Sequence, residues 1–575
     1  MNRKFPYNGK GRKGMNDRSK YITRIIVFAL VVIFILAIVG YSVYLFTRGR
    51  EEKISEWGGA ESANILDNSV PESYSLPFGK GITITYSGPD NWYVAASLSN
   101  NLPVWQEVSE RTGINFSWQV LPSAQWNQSM KLKINGGGEL PDMMGIPDWG
   151  NGDINKYAEE KVIIPLNELI NKYAPNIKRI LKENPLLRKQ MTAADGNIYS
   201  IDEFFSANHY DKAVIIRKDW LEKCGYREGW IPKTKEEFVD VMERFRDYRD
   251  AEKLPLSGSA DAKNGVIPLV AAEGYMYDLF CSGFGLSAPL QDCAVNEDGK
   301  VVFQRATPEY GEFLEWMADL YSNKLLYSGY AASSESDFEK LIIQNRVGIS
   351  VAAGDTMDKY NSLLKRYGID GEYILINPPV DDEGNITLVK RSLSGGQIGI
   401  SYDCEDPVTV IRLMDYLWAS NEGMILMHYG LEGITYDYDE DGNIHFTDFV
   451  TNNQEGLDKA SALRSVGAWG PLFDHQTLEF MSLLYPEQAN EFYAENLAND
   501  IYVEPFPKIL PTAKEASQTG GLSTNLTTYQ SEYHMRKILG GTSQPYAQYL
   551  AEMERLGVRQ YEQYRQAQYE RFTAL

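Results

Sequence analysis

The chain has 575 residues, 43% hydrophobic and 23% charged, which fits several folded domains and excludes both wholesale disorder and a multi-span membrane protein. Its formal net charge of −22 is uneven: residues 1–24 hold eight basic residues and one acid, so the remainder carries about −29. A body that acidic does not bind nucleic acid, because that affinity comes largely from Lys and Arg neutralising phosphates.

The basic head leads into the only long apolar run, residues 25–46, which contains no charge over 22 positions. At 1.5 Å per residue such a helix crosses a hydrocarbon core of about 30 Å. Tyr41, Tyr44 and Phe46 at its outer end suit the headgroup zone. The basic flank predicts a cytoplasmic head, a single-pass anchor and an extracellular body after Thr47. The alternative is a cleaved signal peptide, for which an apolar core of about 7–15 residues suffices, and Ala37-Ile38-Val39-Gly40 is a poor cleavage site. No cysteine lies near the run to carry a lipid. Residues 47–80 lack periodicity and are rich in Gly, Ser, Asn and Glu, which predicts a flexible tether.

Order begins at residues 82–86, a β-branched strand closed by Gly88-Pro89. A helix follows over 103–112, with Val104, Trp105 and Val108 on one face and Gly113 as its stop. A strand over 114–121 and a helix over about 123–134 come next. This alternation predicts βαβ units and a mainly parallel, helix-covered sheet, that is, an α/β fold. Thr234 followed by Glu237 is a capping box that opens a helix through Phe245. Acidic, Gly-containing turns at 296–299, 381–385 and 439–443 each sit between β-formers and predict hairpins. The last stretch, 545–575, is helical, with Tyr549, Leu550, Met553 and Leu556 on one stripe and Tyr561, Tyr564, Gln568 and Phe572 continuing beyond Gly557.

Four cysteines occur. Cys281 and Cys293 are close enough in sequence to pair, but buried free thiols fit equally well in a chain this large. No Cys/His spacing points to zinc. Asp437, Asp439 and Asp441, with Gly442 at the sixth position and Asp448 at the twelfth, match a calcium-binding EF-hand loop. Two features oppose that reading. The twelfth position lacks Glu, and residues 434–436 and 444–446 alternate like hairpin arms.

An ordered set of motifs is recognisable from residue 80 onward. It runs through Val104-Trp105-Gln106-Glu107 with Arg111-Thr112-Gly113, Leu140-Pro141-Asp142-Met143, and Ile216-Arg217-Lys218-Asp219-Trp220-Leu221. Pro232-Lys233-Thr234, Thr307-Pro308-Glu309-Tyr310 and Ile538-Leu539-Gly540-Gly541 before a Tyr-rich helix complete it. In this the chain resembles the extracellular solute-binding proteins of bacterial ABC importers, in the large carbohydrate-binding subgroup found mainly in Gram-positive bacteria. It departs from that pattern at the anchor, where most relatives carry a lipidated Cys, and at Asn135-Gly136-Gly137-Gly138-Glu139.

The resemblance implies a two-lobed periplasmic-binding-protein-like fold of type II with hinge crossovers, preceded here by the transmembrane helix. It places a first lobe at 81–207 and 373–430, and a second at 208–372 and 431–575. It implies capture of an oligosaccharide in the cleft between lobes and delivery to ABC permease subunits, with no catalysis and no cofactor. Sugar recognition needs flat aromatic faces and planar polar groups. Asp148 and Trp149 after a strand, Asn91 and Trp92 after the first strand, His209 and Tyr210 at the crossover, Tyr275 and Tyr277 at a helix start, and Trp469 in a Gly-rich turn meet that need. For Tyr275 and Tyr277, core packing competes for one of the two. A membrane-anchored glycoside hydrolase is the rival function, although no GxSxG, HExxH or P-loop occurs.

Overall fold

A computed structural model describes residues 66–90, 97–148, 153–206, 212–247, 265–287, 293–333, 335–470 and 472–574. They belong to one compact unit that begins at Ala63. The apolar run 25–46 lies outside the described residues, among which no helix is long and apolar enough to cross a membrane.

The strands, in chain order, are β1 (Thr83–Asp90), β2 (Asn115–Pro122), β3 (Met143–Gly145), β4 (Ile201–Phe205), β5 (Lys212–Arg217), β6 (Ile267–Ala271), β7 (Ala294–Val295) and β8 (Val301–Val302). They continue with β9 (Val347–Ala353), β10 (Tyr373–Ile376), β11 (Leu388–Val389), β12 (Ser394–Ile400), β13 (Tyr436–Tyr438), β14 (Ile444–Phe446), β15 (His475–Gln476) and β16 (Tyr502–Val503). Two sheets organise the chain. The first has the order β15-β4-β12-β3-β1-β2 and the second the order β10-β5-β9-β6.

The βαβ reading holds at the start. Strands β1 and β2 pair in parallel from Thr83↔Asn115 to Asp90↔Pro122. Between them the helix Pro103–Thr112 buries Val104, Trp105 and Val108, and Gly113 closes it with a φ of 71°. Strand β1 does not stop at Gly88-Pro89 but runs through both. Gly88 is required there because the phenol of Tyr86, two residues back on the same face, occupies the place of a Cβ. Both sheets are mixed rather than mainly parallel, since β12 runs antiparallel to β3 and β4, and β5 antiparallel to β9 and β10. A strand returning from the other sheet enters from the opposite edge, so its direction is set by the crossover and not by a βαβ unit.

The sheet pairings move the expected lobe boundaries. Strand β10 pairs with β5 in the second sheet, so the return to the first sheet falls between Ile376 and Ser394 rather than at 373. Strand β15 pairs with β4, so the chain visits the first sheet again at His475. Chain proximity cannot reveal this, because β15 is two residues long and far in sequence from its partner. The C-terminal helices do join the second-sheet core, where Tyr549, Met553, Tyr561 and Phe572 pack with Trp220, Phe238 and Phe313. A separate core under the first sheet gathers Trp126, Met144, Ile146, Tyr157 and Leu510.

Strand β11 pairs with β16, and Asn377 and Asn496 exchange amide hydrogen bonds at 2.8 and 2.9 Å, both on the second-sheet side, whose core holds Leu388 and Tyr502. The chain after β16 then reaches the first sheet. Lys508 donates to the fully buried carboxylate of Asp202 at 2.9 Å and to the Gly395 carbonyl, and Asn155 donates to the Pro511 carbonyl. The 381–385 turn forms, with Asp381 N donating to the Asn385 carbonyl, but it leads into β11, which pairs with β16 instead of its own arm. The other two turns are hairpins, β7–β8 and β13–β14.

The tether expectation needs correction over its last part. Residues 66–79 are strapped onto the body: Glu72 N donates to the Lys172 carbonyl, and Phe78 N and Gly79 N to that of Thr112. The buried Lys178 ammonium donates to Asp67 at 2.7 Å and holds that carboxyl down to about 2. Tyr74 donates to Asp415, whose carboxyl is pushed up to about 6 by burial against the pull of the Ile177, Tyr74 and Asn176 donors. Polar composition concealed this, since the strap is held by hydrogen bonds and ion pairs rather than by an apolar stripe. All four cysteines are free thiols.

Candidate functional site

Strands β1, β3 and β4 run in one direction and β12 in the other. Their carboxyl ends, with the amino end of β12, therefore form one edge of the first sheet, the place where loops of an open α/β sheet receive ligands. In the second sheet the carboxyl ends of β6 and β9 lie with the amino end of β5. Only residues 206–211 connect β4 to β5. That link spans at most about 25 Å even when extended, so the two edges neighbour each other.

The sequence-predicted residues map onto these edges by chain position. Asn91 and Trp92 follow β1, Asp148 and Trp149 follow β3, His209 and Tyr210 follow β4, and Tyr275 opens the helix Glu273–Phe280 after β6. Of these, Asn91, Trp92, Trp149, His209, Tyr210 and the side chain of Tyr275 lie outside the described residues. Asp148 is described and half exposed. Its backbone is left-handed, with φ 63°, and its N–H donates to Asn127 Oδ1 at 2.8 Å. The carboxylate accepts from Asn127 Nδ2 and Lys131 Nζ, both at 2.8 Å. Partial burial raises its pKa, but the Asn127 and Lys131 bonds outweigh this and hold it below the ordinary carboxylate value.

Tyr277 is not at an edge. It is 2% exposed in the second-sheet core, its hydroxyl 2.7 Å from His534 Nε2 and 2.9 Å from the Tyr310 hydroxyl. Gln530 and Arg305 extend the same buried network. A helical residue two positions after Tyr275 faces away from it, so of the two tyrosines this one is core. Trp469 is 9% exposed, with the Arg464 guanidinium 4.3 Å over its ring and Phe480 edge-on at 5.7 Å, which leaves it a packed residue rather than an open stacking platform.

Other side chains at the first edge escaped the sequence reading. Asp90 ends β1 and accepts from Ser97 Oγ at 2.5 Å. Glu203 of β4 accepts from Gly396 N at 2.6 Å. Arg391 lies flat on Phe205, 3.5 Å from the ring centre, and donates to Gln476 at 2.9 Å. The Tyr86 hydroxyl is buried without a hydrogen-bond partner, and burial, then Glu203 and Asp90, push its pKa far up. Asp90, at the end of a strand, was findable by the rule applied to Asp148. Glu203 and Arg391 were not, because their positions depend on which strands neighbour β4.

Among the described residues, no group of three or more His, Cys, Asp and Glu is arranged to hold a metal ion. In the acidic 437–448 loop, Asp439 Oδ1 accepts from the backbone N–H groups of Asp441 and Asn443 at 2.9 and 2.8 Å. Its oxygens serve the β13–β14 turn.

Comparison with known proteins agrees with this architecture. Over 504 residues the chain is 23% identical to the fructooligosaccharide ABC transporter substrate-binding protein FusA of Streptococcus pneumoniae serotype 4 (strain ATCC BAA-334 / TIGR4), covering 83% of this chain and 88% of that protein. The crystal structure of the alginate-binding protein AlgQ2 without calcium ion superposes with a TM-score of 0.72 at 20% identity, over 87% of this chain and 100% of that one. The S. pneumoniae FusA complex with kestose gives 0.70 at 20% identity, over 86% and 99%. Residues 95–419 match the family described as bacterial extracellular solute-binding protein, more than half of the chain, and the protein therefore belongs to that family of binding proteins.

Proposed function

We propose that this protein captures an oligosaccharide between the facing edges of its two sheets and delivers it to an ABC permease, without chemical turnover. The observation that carries the reading is the meeting of two mixed α/β sheets at edges joined by the short 206–211 link. A ligand touching both edges stabilises the closed arrangement, and closure is a hinge motion about the crossovers. FusA is described as a fructooligosaccharide-binding subunit and was crystallised with kestose, which supports a sugar as the solute. Asp148 and Trp149 are the residues proposed to grip it, with Asn91, Trp92, His209, Tyr210 and Tyr275 alongside.

The experiment is a thermal-shift screen of neutral and charged oligosaccharides, kestose among them, because a ligand that binds only the folded state raises Tm. A shift with the sugar recovered intact is the expected result. Release of reducing ends would replace this reading with the hydrolase.

Attachment through residues 25–46, with the basic head in the cytoplasm, is the proposed topology. Protease applied to intact cells should release the body, and protection of the whole chain would refute the topology. The reading needs no cofactor: a melt with and without EDTA should give one Tm, and a loss on chelation would assign structural calcium to the 437–448 loop.

A further inference from the structure

The opposite end of the first sheet carries two hollows beside the strap. The first, of about 690 Å³, lies between strap residues 73–76 and the starts of the helices Pro175–Glu183 and Asn421–His428. The second, of about 450 Å³, lies between Leu76-Pro77, Arg111 and the β13 tyrosines Tyr436 and Tyr438. Both volumes fall in the range of about 300–1,000 Å³ usual for small-ligand sites. Leu76 and Glu422 line both hollows, and the Tyr416 hydroxyl of the first lies beside the Arg111 guanidinium of the second, so the two form one groove. The strap precedes the amino end of β1 and Arg111 that of β2, whereas the edge facing the second sheet is at the carboxyl ends. The eight residues of β1, at about 3.3 Å each, put about 25 Å between the two places.

The groove offers ring faces together with planar polar groups. Tyr438 is 45% exposed, with Tyr436 edge-on at 5.6 Å, and the half-buried Tyr74 ring is held by its hydroxyl's bond to Asp415. The carboxylates of Glu422 and Glu432 are exposed and make no hydrogen bond or ion pair with the described residues. Ser420 accepts from Gly423 N at 3.0 Å, which leaves the first-turn N–H groups of Asn421 and Glu422 as unspent donors. Arg179 and Arg111 are paired with Glu183 at 3.0 Å and Glu107 at 2.6 Å, so they add N–H groups without unbalanced positive charge. Donors and acceptors side by side suit hydroxyls, each of which both donates and accepts. They do not suit an anion, which the two unpaired carboxylates repel.

We propose that this groove is a second carbohydrate site, which holds an uncharged, hydroxyl-rich glycan chain away from the cleft, with Tyr438 as its stacking face and Glu422 as its central acceptor. A chain held there meets the cleft at the raised effective concentration of a tethered ligand. Calorimetric titration of the full-length protein with maltohexaose, cellohexaose and nystose should show two classes of site for at least one of them. Tyr438→Ala and Glu422→Gln should each weaken one class roughly tenfold or more, with the other class and Tm nearly unchanged. The double variant Asp148→Asn, Trp149→Ala should do the reverse. Binding lost only in the double variant, or a second class that survives both groove variants, overturns the second site and leaves the cleft reading intact. Binding lost only in the groove variants removes Asp148 and Trp149 from recognition instead. Binding of none of the three sugars overturns both sites.

Discussion

The two sheets use polar side chains in opposite ways. In the second-sheet half, Tyr277, Tyr310, His534, Gln530 and Arg305 turn inward and satisfy one another beneath the C-terminal helices. At the first-sheet edge, Asp90 and Asp148 stand at or beside strand ends with their carboxylates only partly covered. Polar groups spent on each other rigidify a core, whereas groups left with spare acceptor capacity are suited to meet a ligand. The contrast separates residues that hold the frame from residues proposed to bind, and mutation can test it from either side.

The largest effect is expected in the frame. Tyr277→Ala removes a buried ring and should cost about 3–5 kcal/mol of stability. Denaturant unfolding would measure it, and sugar affinity of the protein that remains folded should be unchanged. A normal melt with lost binding would move Tyr277 back to the ligand. Lys508→Ala, which leaves the buried Asp202 carboxylate without its cation, should cost about 3 kcal/mol by the same measurement.

At the edge the readouts reverse. Asp148→Asn and Trp149→Ala should each lower sugar affinity by about 1.5–3 kcal/mol, tenfold or more, with Tm nearly unchanged. Unchanged affinity in both would remove this loop from the site.

The core histidines give a smaller, pH-dependent effect. Burial, then the neighbouring His428, lowers the His475 pKa to about 4, and burial alone lowers that of His534 to about 3. Between these values and about 6.5 the unfolded chain binds protons that the folded protein refuses, so stability falls as pH falls through that window. Each imidazole should account for about 2 kcal/mol at pH 5. Melts of His475→Gln between pH 7 and 5 should be correspondingly flatter, and an unchanged slope would assign the acid sensitivity elsewhere. The smallest change is Tyr74→Phe in the strap, about 1 kcal/mol, visible as faster proteolysis ahead of residue 80 with binding intact.

Much of the frame was legible in the chain. The helix at Pro103–Thr112, stopped by Gly113, and the capping of Lys235–Asp247 by Thr234 and Glu237 are local events, decided by residues within a turn of one another. The β13–β14 turn likewise follows from Asp439 accepting from its own backbone. The strap was not legible, because Asp67 meets Lys178 only after more than a hundred intervening residues have folded. The core role of Tyr277 was half legible. Helical spacing shows that Tyr275 and Tyr277 face apart, but not which of them faces inward.

The sequence by itself determined the α/β class, the ordered motifs of a solute-binding protein and the strand-end placement of Asp148, since each depends on near neighbours and on periodicity. Only the tertiary structure decided that β10 stays in the second sheet, that β15 returns to the first, and that β12 lies between β3 and β4. Strand order is set by the burial of whole faces and by where crossovers run, and no short stretch of residues encodes it.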